Sequence, residues 1–255
     1  MARDLVHRYL LNSKVMDVEV LDPRMLRDIT PADLGRRLRN KEVTGTGRRG
    51  KNLLVCFDEG AVYIHLGMSG SMSFSEDTER HSSHERLRIV VDRGVLILDD
   101  PRRFGRFGWV RSMDHLVSEN ELGPDALTVP DKVFVSRLEG RKGSIKPLLL
   151  DQRIVAGVGN LYADEVLFQE RLHPSSKADS LSRKELARLG KRVRKVLETS
   201  ISVRTDFSRL PEGYLLRDRR EGAPCPRCAT QLVAIRVGGR TTVLCPSCQS
   251  QRTER

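Results

Sequence analysis

Four cysteines near the C-terminal end of the chain constrain its fold more than any other feature. They form two Cys-x-x-Cys pairs, Cys225 with Cys228 and Cys245 with Cys248. Each pair can hold one side of a tetrahedral ion, and the residues between the pairs predict a β-hairpin that turns at Val237-Gly238-Gly239. Because all four ligands are thiolates, no coordination position stays open for water. The pattern predicts a ribbon folded around one structural zinc ion.

The charge balance indicates a polyanionic partner. The chain has 255 residues and a formal net charge of +11. Nucleic acid is the partner that this charge favours, although ribosome-associated and merely basic proteins share the property. The sequence contains no run of eighteen apolar residues, and its N-terminal segment carries charge within the apolar periodicity, so we expect neither a membrane span nor a signal peptide. We therefore expect a cytoplasmic, nucleoid-associated protein.

The periodicity of apolar residues changes along the chain and predicts an α+β fold. The first thirteen residues predict an amphipathic helix, and residues 15–112 alternate like the strands of an antiparallel sandwich or barrel. The period becomes helical from about Asp114 to Thr199, while residues 205–223 predict a loop or hinge. We predict four parts: an N-terminal helix with a β-sandwich (1–113), a helical domain (114–204), a linker (205–223) and a zinc ribbon (224–255).

Residues 145–174 contain two apolar helical segments separated by Gly-Val-Gly-Asn. Gly157 and Gly159 permit backbone conformations closed to other residues, and Asn160 stands where it can cap the second helix. Exposed N–H groups at such a helix start can bind an anion. A plain connection between two packed helices would show the same pattern, so both interpretations stay open at this point.

Six motifs, in this order, resemble those of the formamidopyrimidine-DNA glycosylase and endonuclease VIII family. They are Arg48-Arg49-Gly50-Lys51, His65-Leu66-Gly67-Met68-Ser69-Gly70, Asp100-Pro101-Arg102-Arg103-Phe104-Gly105, Leu122-Gly123-Pro124, the corner at residues 157–162, and the ribbon. The resemblance runs from about Lys14 to Gln249. It implies an N-terminal β-sandwich opened by a helix, a helical domain with a helix-two-turns-helix corner, and a C-terminal zinc ribbon.

The resemblance also implies DNA-contacting roles for nine residues. Phosphates around a flipped-out nucleotide would be contacted by Lys51, His65, Arg103, Lys146, Asn160 and Arg240, and the hole that the nucleotide leaves would be filled by Met68, Arg102 and Phe104. An extruded nucleotide needs its bent backbone neutralised, and its former neighbours need a wedge to stack on. The expected partner is double-stranded DNA, damaged or abasic, bound by a monomer. Without the resemblance, Met68 and Phe104 would be interpreted as core residues.

The beginning of the sequence differs from the family pattern. Family members begin, after removal of the initiator methionine, with Pro-Glu: the proline amine attacks the sugar C1′ and the glutamate moves protons. This sequence begins Met1-Ala2-Arg3-Asp4. The candidate replacement amines are the α-amine of Ala2, whose ordinary pKa near 8 suits imine formation, and Lys51, whose pKa would have to be depressed. A start codon placed too far downstream would explain the same difference.

Three functions are compatible with these observations. The first is a lesion-binding protein of base-excision repair that bends DNA and accommodates a flipped-out or abasic nucleotide without the usual glycosylase chemistry. The second is an active glycosylase or abasic-site lyase that uses a displaced amine. The third is a zinc-ribbon module that binds RNA or a protein. Arg102 and Phe104 beside Met68 argue against the third, since single-stranded RNA needs no wedge.

Overall fold

The structure is a computed structural model that describes residues 2–79 and 82–250, and it has the predicted α+β architecture. The chain divides into two compact units, Met1–Asn120 and Glu121–Arg255. Within the described residues, no helix combines the length and the apolar character that crossing a membrane requires.

The first unit is a sandwich of two β-sheets with a helix packed on it. Its helices are α1 (Ala2–Leu10), α2 (Pro31–Leu38) and α3 (Met113–Glu119). Its strands are β1 (Val15–Val20), β2 (Leu26–Arg27), β3 (Gly45–Arg49), β4 (Asn52–Phe57), β5 (Gly60–His65), β6 (Ser71–Ser75), β7 (Glu85–Val91), β8 (Gly94–Asp99) and β9 (Arg106–Val110). One sheet has the order β1-β7-β8-β6 and the other the order β2-β9-β5-β4-β3.

Both sheets and α1 contribute to one apolar core. Val6 and Leu10 of α1, Ile64 of β5 and Ile89 of β7 are fully buried in the same cluster. These positions follow the helical period in α1 and the alternation in the strands, which is why burial of one side of each element is possible. The sandwich opened by a helix, as predicted, therefore forms the first unit.

The second unit is a helical bundle that carries a hairpin. Its elements are α4 (Asp131–Leu138), α5 (Ile145–Leu150), α6 (Asn160–Gln169), α7 (Arg183–Ser202), β10 (Val233–Val237) and β11 (Arg240–Leu244). Helix α7 begins with a capping box formed by Ser182 and Glu185. Leu186, Leu189 and Val193 of α7 are fully buried, as their spacing predicts.

The structure differs from the sequence analysis in three segments. Strand β3 was not predicted, because its Gly-Thr-Gly-Arg-Arg sequence has no aliphatic alternation; its pairing with β4 supplies the hydrogen bonds that define it. Apolar alternation alone does not separate β6 from β5, whereas the chain turns at residues 66–70 and β6 pairs with β8 in the other sheet. The segment 205–223 contains two short 3-10 turns, and Leu215 and Leu216 are buried there, so it is not a free hinge.

Candidate functional site

Polar side chains line one end of the five-stranded sheet. The pairing register places Arg49 opposite Asn52, Asn52 opposite His65, and His65 opposite Arg106. We call these four residues the strand-end row. Lys51 lies beside the row in the two-residue turn between β3 and β4. Directly paired residues lie on the same face of a sheet, so the row concentrates positive charge at one strand end.

His65 is neutral at physiological pH. Burial, together with the positive charges of Arg106 and Lys51, lowers the pKa of its imidazole to about 4. Its Nδ1 accepts the Gly67 N–H at 3.0 Å. The single ring proton is therefore on Nε2, which makes His65 a neutral hydrogen-bond donor between two cations.

Two loops at residues 66–70 and 100–105, which we call the paired loops, are fixed against each other. Gly67 has φ +65°, and a Cβ at this position would lie 2.5 Å from the carbonyl carbon of Phe104, so only glycine fits. The fully buried Asp100 carboxylate accepts hydrogen bonds from Ser69 Oγ at 2.5 Å and Gly105 N–H at 2.8 Å. Burial alone would raise the pKa of Asp100, but these hydrogen bonds leave it below its usual value.

The paired loops hold large apolar side chains in solvent. Met68 is 70% exposed and Phe104 is 56% exposed. The Arg102 guanidinium lies 5.3 Å from the centroid of the Phe104 ring. Arg103, in the left-handed region at φ +59°, turns back and pairs with the buried Asp22 at 3.0 Å. Apolar side chains on a fixed backbone and outside the core are typical of a binding surface.

Helix α1 points its first residues toward the strand-end row. Asn12 N–H donates to the Val43 carbonyl at 2.9 Å, and His7 Nδ1 lies 3.3 Å from Thr46 Oγ1 of β3. The helix therefore runs antiparallel to β3. Ala2 lies about 7 Å beyond His7 along the helix axis, in the direction in which β3 leads to Arg49.

The predicted corner of the second unit lies at the start of α6. Gly157 has φ +120°, the conformation that needs glycine. The prediction that Asn160 caps α6 was wrong: the N-cap is Gly159 and no side chain bonds there. The Asn160 amide instead donates to the Thr241 carbonyl of β11 at 2.9 Å, because the hairpin supplies an acceptor at this point. Asn160 thus connects the corner to the ribbon.

Lys146 is fully buried next to the contact between Asn160 and Thr241. Such burial does not fit a side chain that binds phosphate directly. The Lys146 ammonium lies 2.7 Å from Asp164 Oδ1, and it donates to Thr242 Oγ1 at 2.6 Å and to the Thr241 carbonyl at 3.3 Å. Burial lowers the pKa of Lys146, although the Asp164 carboxylate opposes this. Because its three N–H groups are used within the chain, we correct the predicted direct contact to a supporting role.

Arg240 is exposed at the tip of the hairpin. The turn is Gly238-Gly239. Gly238 has φ +56°, and a Cβ there would lie 2.6 Å from Pro147 Cγ. The turn thus packs against α5, and Thr241, the residue after Arg240, accepts the amide N–H of Asn160 at the corner. Asn160 and Arg240 therefore lie on adjoining segments of the second unit.

The four cysteines form a closed metal centre. Their sulfur atoms all lie within 4.8 Å of one another, with Cys228 and Cys245 3.5 Å apart and Cys225 and Cys248 3.9 Å apart. Zn–S bonds of about 2.3 Å place sulfurs about 3.8 Å apart in a tetrahedron. The Arg227 N–H points to Cys225 Sγ at 3.5 Å, as backbone donors do at thiolates. The donor set fits one structural zinc, which confirms the predicted cofactor.

Sequence reasoning missed four residues that build these surfaces. Arg106 and Asn52 gave no signal in the sequence beyond their positions at the start of two different strands, β9 and β4. Asp164 lies inside an apolar helix pattern and gave no signal except its type. Arg219 lies in a charged segment without periodicity. Only the pairing register and the packing of α6 against β11 reveal their positions.

Three family models match the chain in the order of its parts. The model described as “Formamidopyrimidine-DNA glycosylase N-terminal domain” matches residues 1–107, and “Formamidopyrimidine-DNA glycosylase H2TH domain” matches residues 122–211. The model “Zinc finger found in FPG and IleRS” matches residues 222–251. Together they cover the first unit, the corner and the ribbon.

Relatives and solved structures agree with the family models. The formamidopyrimidine-DNA glycosylase of Syntrophotalea carbinolica is 36% identical, over 94% of this chain and 94% of that protein. That of Methylococcus capsulatus is 37% identical, over 92% of each. The Lactococcus lactis enzyme in complex with FAPY-dG DNA superposes with a TM-score of 0.87 at 27% identity, over 98% of this chain and 97% of that one. The chain therefore belongs to the formamidopyrimidine-DNA glycosylase family.

Proposed function

We propose that the protein acts in base-excision repair, in the cytoplasm at the nucleoid, by binding duplex DNA at a damaged or abasic nucleotide. The observation that carries the proposal is the exposure of Met68 and Phe104 on fixed loops. A basic strand-end row lies in the same unit. Apolar wedges and cations in one unit are what a protein needs to enter a base stack and neutralise the bent backbone.

The wedge consists of Met68, Phe104 and Arg102. When a nucleotide leaves the stack, the neighbouring bases lose their stacking partners, at a cost of a few kcal/mol. Met68 and Phe104 supply apolar surface to replace those partners, and Arg102, stacked over the Phe104 ring, supplies a planar cation. Because the paired loops are already fixed, little conformational entropy is lost on insertion.

The phosphate contacts come from both units. In the first unit we assign them to Lys51, to the Nε2–H of His65 and to Arg103, and we add Arg106 because it is exposed next to His65. In the second unit we assign them to Asn160 and Arg240. Lys146 supports Asn160 and Arg240 indirectly, because its ammonium pairs with Asp164 and donates a hydrogen bond to the hairpin at Thr242.

The lesion is a site where the normal base is altered or missing. Solved Lactococcus lactis relatives, 27% and 28% identical to this chain, hold a FAPY-dG or an abasic site in their DNA. We propose a ligand of the same class here, since an altered or absent base is the easiest to extrude.

A hydroxyl-radical footprint tests the binding proposal. The protein is incubated with a duplex that carries one stable abasic analogue, and with the same duplex carrying a normal nucleotide there. We expect protection centred on the abasic position and weak, uniform protection of the intact duplex. Equal, uniform protection of both duplexes would contradict the proposal.

Cleavage of the glycosidic bond or of the abasic strand is the second candidate function. It is favoured by the direction of α1, whose first residues point toward the strand-end row, and by family membership. At the glycosidic bond, an unprotonated amine bonds to C1′, and the bonding electrons leave with the base, which takes up a proton. At an abasic site the amine condenses with the C1′ aldehyde and water leaves, and removal of a C2′ proton from the imine then expels the 3′ phosphate. The candidate amines are an N-terminal amine, such as that of Ala2, and Lys51.

Borohydride trapping separates the two candidates, because reduction converts an imine into a stable protein–DNA adduct. Binding alone gives no adduct with abasic duplex. An adduct that disappears when the α-amine is blocked assigns cleavage to the terminal amine. An adduct that disappears in Lys51→Ala, while this variant still binds the duplex, assigns cleavage to the lysine.

A further inference from the structure

One buried carboxylate joins four segments of the second unit. Asp164 is fully buried in α6, one helical turn after Asn160. Lys146 of α5 lies 2.7 Å from its Oδ1. Asp164 Oδ2 accepts the Val243 N–H of β11 at 3.1 Å and the Arg219 Nε–H at 2.9 Å. Arg219 belongs to the segment before the ribbon, and only 14% of its side chain is exposed. We call Lys146, Asn160, Asp164, Arg219 and Thr241 the corner cluster.

The corner cluster holds more positive charge than negative. Two cations, Lys146 and Arg219, share one carboxylate, and the charge of Arg240 also acts on Lys146. The surplus charge lies in a poorly solvated region, where electrostatic interactions are stronger than in water. An anion that approaches Asn160 and Arg240 therefore meets a positive electrostatic potential produced by Lys146 and Arg219.

The cluster also holds more donors than acceptors. The Thr241 carbonyl receives N–H groups from Asn160 at 2.9 Å, from Arg219 at 3.2 Å and from Lys146 at 3.3 Å. A carbonyl oxygen has two lone pairs, so three donors exceed its capacity. The contact fixes the first residue of α6 and the hairpin strand next to Arg240 in one arrangement.

We propose that Arg219 is a positioning residue for DNA binding. Through Asp164 and the Thr241 carbonyl it fastens the ribbon hairpin to α6, so that Asn160 and Arg240 meet the same stretch of DNA backbone, and it supplies the surplus charge beneath them. The proposal rests on the DNA-binding function proposed above. Arg219 itself does not need to touch DNA, because most of its side chain is buried.

The test begins with matched variants of neighbouring arginines. Arg219→Ala leaves Asp164 with Lys146 and the Val243 N–H, so the carboxylate keeps partners and the unit should fold. Arg220 is the control, because its side chain is 70% exposed and pairs with Asp218. In anisotropy titrations with duplex DNA, Arg219→Ala should bind at least about tenfold more weakly and Arg220→Ala within about twofold of the parent. Zinc content should stay at one equivalent in both.

A double-mutant cycle distinguishes positioning from general destabilisation. If Arg219 acts by placing Arg240, the loss caused by Arg240→Ala should nearly disappear once Arg219 is alanine. Lys51→Ala, in the other unit, should add its full loss to that of Arg219→Ala. Arg219→Lys keeps the charge but loses the planar guanidinium fork that bonds Asp164 and the Thr241 carbonyl, so it should bind with intermediate affinity.

Two outcomes would overturn the proposal: DNA binding by Arg219→Ala as tight as that of the parent, or losses of affinity that add when Arg219→Ala is combined with Arg240→Ala. If the alanine variant loses zinc or melts early, the cycle is repeated with Arg219→Lys, and additivity there overturns the proposal in the same way. The cycle is measured on intact duplex as well as abasic duplex. A protein without lesion preference would therefore refute the proposed function and still leave the role of Arg219 measurable.

Discussion

Burial removes charge from an ionisable side chain unless a partner compensates, and three residues show different outcomes. His65, between two cations, is held neutral with a pKa of about 4. Asp100 keeps its charge, because hydrogen bonds from Ser69 and the Gly105 N–H stabilise the carboxylate. Lys146 has its ammonium against Asp164, which opposes the effect of burial on its pKa. Each state follows from the immediate neighbours.

The neutral state of His65 makes stability depend on pH. The pKa of the ring falls from 6.5 to about 4 on folding. Across this window the unfolded chain binds a proton that the folded chain does not, so the free energy of unfolding decreases as pH falls. Urea unfolding from roughly pH 7.5 to roughly pH 4.5 should show a smaller loss of stability in His65→Gln than in the parent. Parallel curves for the two proteins would refute the assignment.

Residue roles were only partly predictable from sequence. Apolar type alone places Met68 and Phe104 in the core, and only the motif around them indicated a wedge. Their exposure results from the contact of Gly67 with Phe104 and the hydrogen bond of Ser69 to Asp100, and each of these joins residues more than thirty positions apart in the chain. Lys146 was predicted to contact phosphate because a sequence shows which side chains are charged and does not show which of them are buried. Its burial depends on Asp164 and Thr242, which come together only when the ribbon packs on α6.

At the scale of elements, the ribbon hairpin is too small to fold by itself. β10 and β11 have five residues each, and their apolar neighbours form a small cluster that includes Phe168, Leu215 and Cys245. The zinc ion therefore supplies much of the free energy that holds Arg240 and the Thr241 carbonyl in place.

We expect one zinc per chain, lost in the double variant Cys225→Ser with Cys245→Ser. Metal analysis should return one equivalent for the parent, and hydrogen exchange of β10 and β11 should become fast in the variant. DNA affinity should fall with it, because Arg240 and Thr241 lie on the hairpin. Cys56→Ser, outside the ribbon, is the control and should keep its zinc. Slow exchange in the zinc-free variant would contradict a metal-dependent fold.

The paired loops provide an element-scale test with a matched glycine. Gly67 and Gly140 have nearly the same conformation, at φ +65° and φ +69°, but a Cβ at Gly67 meets Phe104 and a Cβ at Gly140 meets open space. Alanine at either position should cost about 1–2 kcal/mol for the left-handed backbone. Only Gly67→Ala should also displace Phe104 and reduce the preference for abasic duplex. Equal effects of the two variants on that preference would show that the loop contact is irrelevant.

The elements with strong periodicity were predictable, and those defined by pairing were not. Helix α7 and strands β4, β5, β7 and β8 follow apolar patterns that need no knowledge of their partners. Strand β3 has two glycines and two arginines, so only hydrogen bonding to β4 makes it a strand. The segment 205–223 resembles a hinge in composition. It packs nevertheless, because the buried Glu165 accepts the Leu216 N–H.

At the scale of the whole molecule, charge and exposed apolar surface serve different purposes. The net charge of +11 attracts any duplex, and this attraction weakens steeply as salt concentration rises. Charge alone therefore gives affinity without a preference for a lesion. Preference must come from Met68 and Phe104, since a gap in the base stack accepts a wedge more easily than an intact stack does.

A competition titration at one fixed, near-physiological salt concentration tests this division most directly. A labelled abasic-analogue duplex is displaced by unlabelled duplex of the same sequence, either abasic or intact, from the parent and from Met68→Ala with Phe104→Ala. For the parent, the intact duplex should compete at least about tenfold less effectively. For the double variant, the two competitors should become nearly equal, with affinity for the intact duplex little changed. Equal competition with the parent, or an undiminished preference in the double variant, would contradict lesion recognition by the wedge.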